Sequence, residues 1–462
     1  MKRTAGNWLV AICLAGSGAG TALRAPAADS GAPGTGGASA AALPAPRSTP
    51  PAARSAQAAA PAKLRLEDLE QMALEHNPTL GQATAQVQAA RGRTHQAGLY
   101  PNPVVGYTGD EISGGPVIRG GEHGFFAEQE IVTAGKLRLN RAIGAQEEQR
   151  AAAGAEEQKG RVLNTVRSLY YQALGAEQMV ELRGKLTENA REAVQVSRQL
   201  ANVGQADKPD LLEAEVEAQR AELALLAAQN DRERIWRELS SAVGMPALRP
   251  APLAGSLDDV VPPLEFDPTL ENLLAGSPEV KLTQAEVARA EQTLRRAQVE
   301  KFPNIIFRGG VRYNRELLEQ AARPVGVEGF AEVGVRLPLF DRNQGNAEAA
   351  RASLESAKLE VERVRLALRA RLAAAFRVYL DSRNMVERYR SEILPRAQQA
   401  YQLYLRSYQQ MAAAYPQVLI AQRNVAEAEV EYVRAQEMLW RSVAEIRGQL
   451  LGKDMGSIAS GE

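Results

Sequence analysis

The chain has 462 residues, 55 basic and 55 acidic side chains and a formal net charge of zero. That balance excludes a nucleic-acid partner of the usual kind, since phosphate binding leaves a basic excess. The single cysteine, Cys13, excludes an intrachain disulfide and a cysteine-built metal site. With aromatics at only 5 %, cores must close through small residues, which favours closely packed helices.

Residues 1–27 read as a secretory signal: Lys2 and Arg3, then apolar Trp8 to Leu14, then small residues, with cleavage after Ala22 or near Ala25 to Ala27. A lipoprotein signal would acylate Cys13, but Val10-Ala11-Ile12 is a poor match before such a cysteine and the apolar run would be cut short. No stretch approaches the ~20 apolar residues of a membrane-spanning helix. Residues 28–62 are mostly Ala, Pro, Gly and Ser. Such a segment buries too little apolar area to offset ordering, so a disordered linker is predicted.

Folded sequence begins near Leu64. A helical pattern runs to Gly98, broken at Asn77-Pro78, where Asn caps and Pro opens the next helix. Strands are predicted at 103–111 and 123–131, around a Gly/Pro-rich loop from Ser113 to Gly121. A proline-free helix at 136–204, ~100 Å long if continuous, and a helix at 207–243 complete a first repeat, 64–243. An inter-repeat equatorial segment, 244–276, is proline-rich as far as residue 268. A second repeat, 277–452, holds a helix at 278–300, strands at 304–313 and 328–337, a long helix at 343–411 and a last helix at 416–451. Pro395 predicts a kink or break in the long helix. Residues 453–462 are expected to form a flexible tail.

The halves are copies of one plan. Pro101-Asn102-Pro103 and Pro303-Asn304 each open an alternating apolar run. Leu211, Ala214, Ala218, Ala221, Leu225 and Ala228 recur 207 positions later as Val418, Ala421, Val425, Ala428, Tyr432 and Ala435. A period this long means a duplicated half rather than short solenoid repeats. Ala347, Ala350, Leu354, Ala357, Val361, Val364 and Leu368 step by three and four, the seam of a left-handed coiled coil, with a stutter at Leu372. The helices at 207–243 and 278–300 span ~55 Å and ~35 Å, so two shorter helices end to end match one long one.

The strands carry the functional argument. Ile305, Phe307, Gly309, Val311 and Tyr313 share one face, with Arg308 and Arg312 on the other. Ala331, Val333, Val335 and Leu337 likewise oppose Glu332, Gly334 and Arg336. Two readings stand here. One is a small antiparallel sheet covered by a helix, as in an ordinary soluble domain; for function, a soluble periplasmic coiled-coil scaffold is the corresponding alternative to a channel. The other is a set of membrane staves, since ~10 residues cross an outer membrane. In lipid a sheet must close, and the smallest closed barrels need about eight strands. Four strands would then have to join those of other copies.

Leu337-Pro338-Leu339-Phe340-Asp341-Arg342-Asn343-Gln344-Gly345, Gln129 through Gly135-Lys136, Asn77-Pro78, Tyr100-Pro101-Asn102-Pro103 and Ile393-Leu394-Pro395 carry a resemblance. Across nearly all of residues 64–452 the chain resembles the TolC family of outer-membrane efflux channels. The resemblance implies a mainly α fold with a small β part: long antiparallel coiled-coil helices in a periplasmic α-barrel of twelve helices, and four strands per chain in a trimeric, twelve-stranded transmembrane β-barrel. It implies a non-enzymatic duct in the outer membrane without a cofactor. Its partners would be a periplasmic adaptor and an inner-membrane RND transporter. Asp341 to Gly345 looks most like the outer component of cobalt–zinc–cadmium exporters, which favours heavy-metal cations over drugs or organic solutes.

The resemblance also singles out the helix tips. Val203-Gly204, with Gln205, matches the family's Val-Gly motif, where adaptor hairpins dock. The second tip, around Ala413 and Ala414, lacks the glycine. The family's constriction often carries acids inside the final helix, where this chain has Gln417 and Ile420. Their first-half equivalents, Asp210 and Glu213, are acidic, with Asp207 nearby. Three-fold repetition would make rings that attract cations. Helix capping by Asp207 or Asp210 is the plainer role and is compatible with it. His76, His95 and His123 are scattered, and no His/Cys/Asp/Glu spacing suits a metal.

Overall fold

The computed structural model describes residues 63–112, 121–202, 208–261, 263–317, 323–410, 412 and 415–449. The signal, the linker and the tail therefore lie outside the described residues, as do five tip positions, Val203, Gly204, Gln205, Ala413 and Ala414, and the acid Asp207.

Each half repeats one order of elements. The first has α1 (Leu66–His76), α2 (Pro78–Ala97), β1 (Val104–Asp110), β2 (Glu122–Ile131), α3 (Lys136–Asn202) and α4 (Lys208–Val243). The second has α5 (Phe266–Gly276), α6 (Pro278–Val299), β3 (Ile305–Leu317), β4 (Pro324–Val335), α7 (Gln344–Arg388), a π-helical turn (Tyr389–Ile393), α8 (Leu394–Gln409) and α9 (Tyr415–Arg447).

The structure departs from the expected element bounds at several places and carries the break expected at Pro395. The segment 244–276 is not a plain join, because α5 occupies its end as the counterpart of α1. Its Pro268 lies in the first turn, where a missing N–H costs nothing, and its inward residue Leu273 is buried. The long helix expected at 343–411 breaks where Pro395 predicted a kink or break. Pro395 removes a backbone donor, and the turn before it widens so that the Leu394 N–H reaches the Tyr389 carbonyl. The strand expected at 328–337 begins at Pro324 and stops at Val335, short of Leu337. The helix expected to reach residue 451 ends at Arg447.

At 67 residues, α3 is unbroken. On one flank it carries α2 and α4, and on the other α6 and α9; α7 packs beyond α6 and α9, and α8 on α9. Each pair of shorter helices is laid end to end along a long one. Asn77 ties the first pair: its Oδ1 accepts from the Thr79 N–H (3.0 Å) and its Nδ2 donates to the Ala242 carbonyl (2.7 Å). Gly244, at φ +84°, turns the chain directly against His76 O, where a side chain would not fit.

Two cores result. One joins Leu69 and Ala73 of α1, Val166 and Tyr170 of α3, and Ile235 and Leu239 of α4. The other joins Leu273 of α5, Leu368, Leu372 and Tyr379 of α7, and Leu439 and Val443 of α9. Tyr171 stacks on Trp440 at 4.9 Å, linking α3 to α9. The indoles of Trp236 and Trp440 each donate to a carbonyl of the connecting segment, Leu248 O and Leu257 O, both at 3.0 Å. The seam residues of α7 are all buried or half-buried, from Ala347 to Leu368.

The four strands form one antiparallel sheet in the order β1-β2-β3-β4. The β2–β3 pairing joins the halves, from Glu122 opposite Asn314 to Ile131 opposite Ile305. The free edges are therefore β1 and β4.

Candidate functional site

The registers put Val105 and Tyr107 of β1, Phe125 and Ala127 of β2, Phe307 and Val311 of β3, and Val327 and Val333 of β4 on one face. Val105, Phe125, Val311, Val327 and Val333 are 57–75 % exposed. No helix packs substantially on the sheet among the described residues. A contiguous apolar face this open marks contact with lipid or protein rather than water, which removes the covered-sheet reading.

The opposite face is charged and internally paired. Arg308 stands between Glu128 and Glu332 in the register, and Arg312 between Gly124 and Glu328. Arg312 contacts Glu122 Oε2 at 2.5 Å and Glu328 Oε2 at 3.3 Å, and the Arg308 pair with Glu332 is looser at 3.9 Å. Arg308 also lies 4.1 Å from the centre of the Phe126 ring, a cation–π contact. Phe126 and Phe330 flank Gly310 in the register. A Cβ at Gly310 would lie 2.2 Å from Phe125 O and 2.8 Å from the Phe330 ring, so the face closes only over glycine.

Below the sheet, both strand-to-helix turns pass through the left-handed region, at Ala134 and Gly135 (φ 54° and 66°) before α3 and at Asn343 (φ 62°) before α7. This conformation suits Gly and Asn, and it accounts for the two motifs at equivalent points. Asn343 adds an Nδ2 bond to the Ala297 carbonyl, and its N–H donates to Asp341 Oδ1. Lys136 is 2 % exposed. Its ammonium donates to Asn304 Oδ1 (3.0 Å) and pairs with Glu300 (3.5 Å). Burial alone would raise Glu300, but Arg296 and Lys136 outweigh it and hold its carboxyl below the usual range. The sequence reading named Gly135-Lys136 as a motif but missed this buried cation, because its partners Glu300 and Asn304 lie 164 and 168 positions away.

At the far end Asp210 lies half-buried in the first turn of α4, with Glu213 exposed one turn on. Burial, and then the nearby Asp210 charge, raise the pKa of Tyr408 on α8. Asp210 therefore lies near Tyr408 on α8. Ile420, the second-half equivalent of Glu213, is 58 % exposed. The sequence reading also missed a link between α4 and α9, Arg423 to Glu217 at 2.8 Å. His76 ends α1, His95 lies in the last turn of α2 and His123 is on β2, so the three stay apart. Among the described residues there is no cluster of three or more metal-ligating side chains, and no helix is long and apolar enough to cross a membrane.

Comparison with known proteins agrees with this geometry. The profile of the family described as outer membrane efflux protein matches residues 69–245 and 269–453. The cobalt-zinc-cadmium resistance protein CzcC of Cupriavidus metallidurans is 27 % identical over 401 residues, 86 % of this chain and 91 % of that protein. The outer-membrane channel OprN superposes with a TM-score of 0.71 at 20 % identity, covering 84 % of this chain and 90 % of OprN. CusC, solved in a study of folding and transmembrane channel formation, gives a TM-score of 0.71 at 16 % identity, covering 87 % and 96 %. An open sheet with one apolar and one charged face, set on paired long helices and matched along both halves, places the chain in the outer membrane efflux protein family of TolC-type outer-membrane channels.

Proposed function

We propose that the chain is the outer-membrane exit duct of a tripartite efflux pump, acting as a homotrimer. Each copy contributes four staves to a shared barrel, with the apolar face toward lipid and the Arg308–Arg312 face toward a water-filled lumen. The observation that carries this reading is the uncovered four-stranded sheet with two open edges. Its unpaired backbone groups would cost several kcal/mol each in lipid unless other copies cover them. The paired helices continue the duct into the periplasm. The tips around Val203, Gly204, Gln205, Ala413 and Ala414 receive a periplasmic adaptor, which links the duct to an inner-membrane RND transporter. Transport work belongs to that transporter, and the duct needs no catalytic residue.

The cargo we favour is a heavy-metal cation. The likeness to CzcC over 86 % of the chain supports this, and the acids Asp210 and Glu213 at the start of α4 would suit cation passage if they line the duct. The test is growth of a deletion strain on zinc, cobalt and cadmium and on organic toxicants. Sensitivity to the metals alone supports metal efflux. Sensitivity to the organic compounds alone replaces it with drug or solute export. Purified protein that conducts no ions across a planar bilayer would overturn the duct itself.

A further inference from the structure

A groove of about 750 Å³ runs along the α3–α6 seam from the end of α9 toward the sheet, and we infer that the chain's own residues 450–462 dock in it. Its floor is made of small residues, Ala153 and Gly160 of α3 and Ala285 and Ala288 of α6, so an extended segment can come close to both helix backbones. Its rim is basic: Lys159, Lys281 and Arg447 outnumber Glu156, while Arg167 is already paired with Glu70.

Helix α9 leads into this groove. It runs antiparallel to α3: Trp440 stacks on Tyr171, and Gly448 lies directly against Asn164. Continued past residue 449, the same course follows α3 toward Gln146 at the far end of the groove. The levels of Asn164 and Gln146 are ~27 Å apart along the helix. Residues 450–462 reach ~43 Å when extended, which is ample. The groove is also no border between copies. Helix α3 carries α2 and α4 on one flank and α6 and α9 on the other, so the α3–α6 seam lies inside one chain, and a second copy is the poorer occupant.

The duplication supports the same occupant. Gln449 adopts the left-handed conformation (φ 57°) that Gly244 adopts after α4, and each N–H donates to the carbonyl three residues back. After Gly244 the chain stays on the helices, with Met245 and Leu248 packed on the first core. After Gln449 come Leu450 and Leu451, then Met455 and Ile458, apolar side chains that the groove would remove from water. Asp454 and Glu462 against Lys453 make the segment acidic, which suits the basic rim. At the mouth of the groove, between Gly276 and Pro278, the buried Ser277 Oγ has no hydrogen-bond partner among the described residues. Its counterpart Asn77 reaches the Ala242 carbonyl. A backbone carbonyl of the incoming segment supplies the partner that a buried hydroxyl needs.

Two measurements on the purified full chain, in a Cys13→Ser background, test the docking. Met455→Cys with Ala285→Cys, treated with a short bismaleimide, is expected to give a link within one chain, identified by mass spectrometry of the joined peptides. Met455→Cys with Ala224→Cys, far down α4 toward the tip, is expected to give none. Separately, Ala153→Cys is expected to react with a bulky maleimide ~10-fold more slowly in the full chain than in one stopped after Gly452, because the docked segment must first open. Should the shortened chain fail to fold, the cross-link alone decides. Equal reaction rates, links only between copies, or no link at Ala285 overturn the docking. None of these outcomes touches the duct, which stands or falls by conduction in planar bilayers.

Discussion

Asn304 and Lys136 lie far apart in sequence yet share one hydrogen bond at the foot of the sheet. Asn304 also accepts from the Thr133 N–H and donates to Glu130. Asn304→Ala leaves a buried ammonium and a backbone donor short of partners, so a loss of about 1–3 kcal/mol is expected, read as a lower melting temperature in detergent. Glu437 makes a different case. Burial raises its pKa above the usual carboxylate range, and Arg441 offsets that only in part. The folded chain therefore binds this proton more tightly than the unfolded chain. The resulting stabilisation is fully present below the ordinary value of 4.5 and is lost as pH rises through the raised pKa. Glu437→Gln is expected to melt above the wild type at neutral pH, and the gap should narrow as the solution is acidified below that value. A gap that widens with acid would show that the Arg441 pair outweighs burial.

Among the strands, β2 and β3 are paired on both sides, and at Gly310 in β3 the packing leaves no room for a side chain. Gly310→Ala would drive a Cβ into Phe125 O and the Phe330 ring. It is expected to cost about 1–3 kcal/mol and to lower the yield of heat-modifiable oligomer. Gly334→Ala in the edge strand β4 is the control, since its Cβ would meet nothing nearer than Ile306 at 4.0 Å. Equal losses in the two variants would show that strand flexibility, not the Phe330 contact, sets the cost. The helices differ in kind: α3 runs 67 residues without interruption, whereas its counterpart divides into 45 residues of α7, a π turn and 16 residues of α8. One proline accounts for that asymmetry between otherwise parallel halves.

At the scale of the whole molecule, the proposed trimer turns single acids into rings. Asp210 and Glu213 lie one turn apart on α4. Asp210→Asn with Glu213→Gln is expected to reduce the cation-over-anion permeability ratio several-fold, measured as a reversal potential in planar bilayers under a salt gradient. Conductance with an unchanged ratio would leave Asp210 only its role in the first turn of α4.

The alternation of the strands, the three-and-four stepping of the long helices and the Pro-Asn pairs were all legible in the sequence, because each depends on neighbours along the chain. A break in the second long helix was announced by Pro395, though not its form as a π turn. Helix α5 was obscured, since its proline masks an apolar face that only α7 completes. The buried Lys136 and the Arg423–Glu217 link join segments 164 and 206 positions apart, and no local pattern encodes them. Asp210 and Glu213 were identified by likeness, but which side chains they face depends on how α8 lies against α9. Local periodicity thus determined which face of each strand and helix is apolar. Only the tertiary structure decided that β2 joins β3 and leaves β1 and β4 open, because strand pairing between distant segments depends on which backbone edges the packed helices bring together.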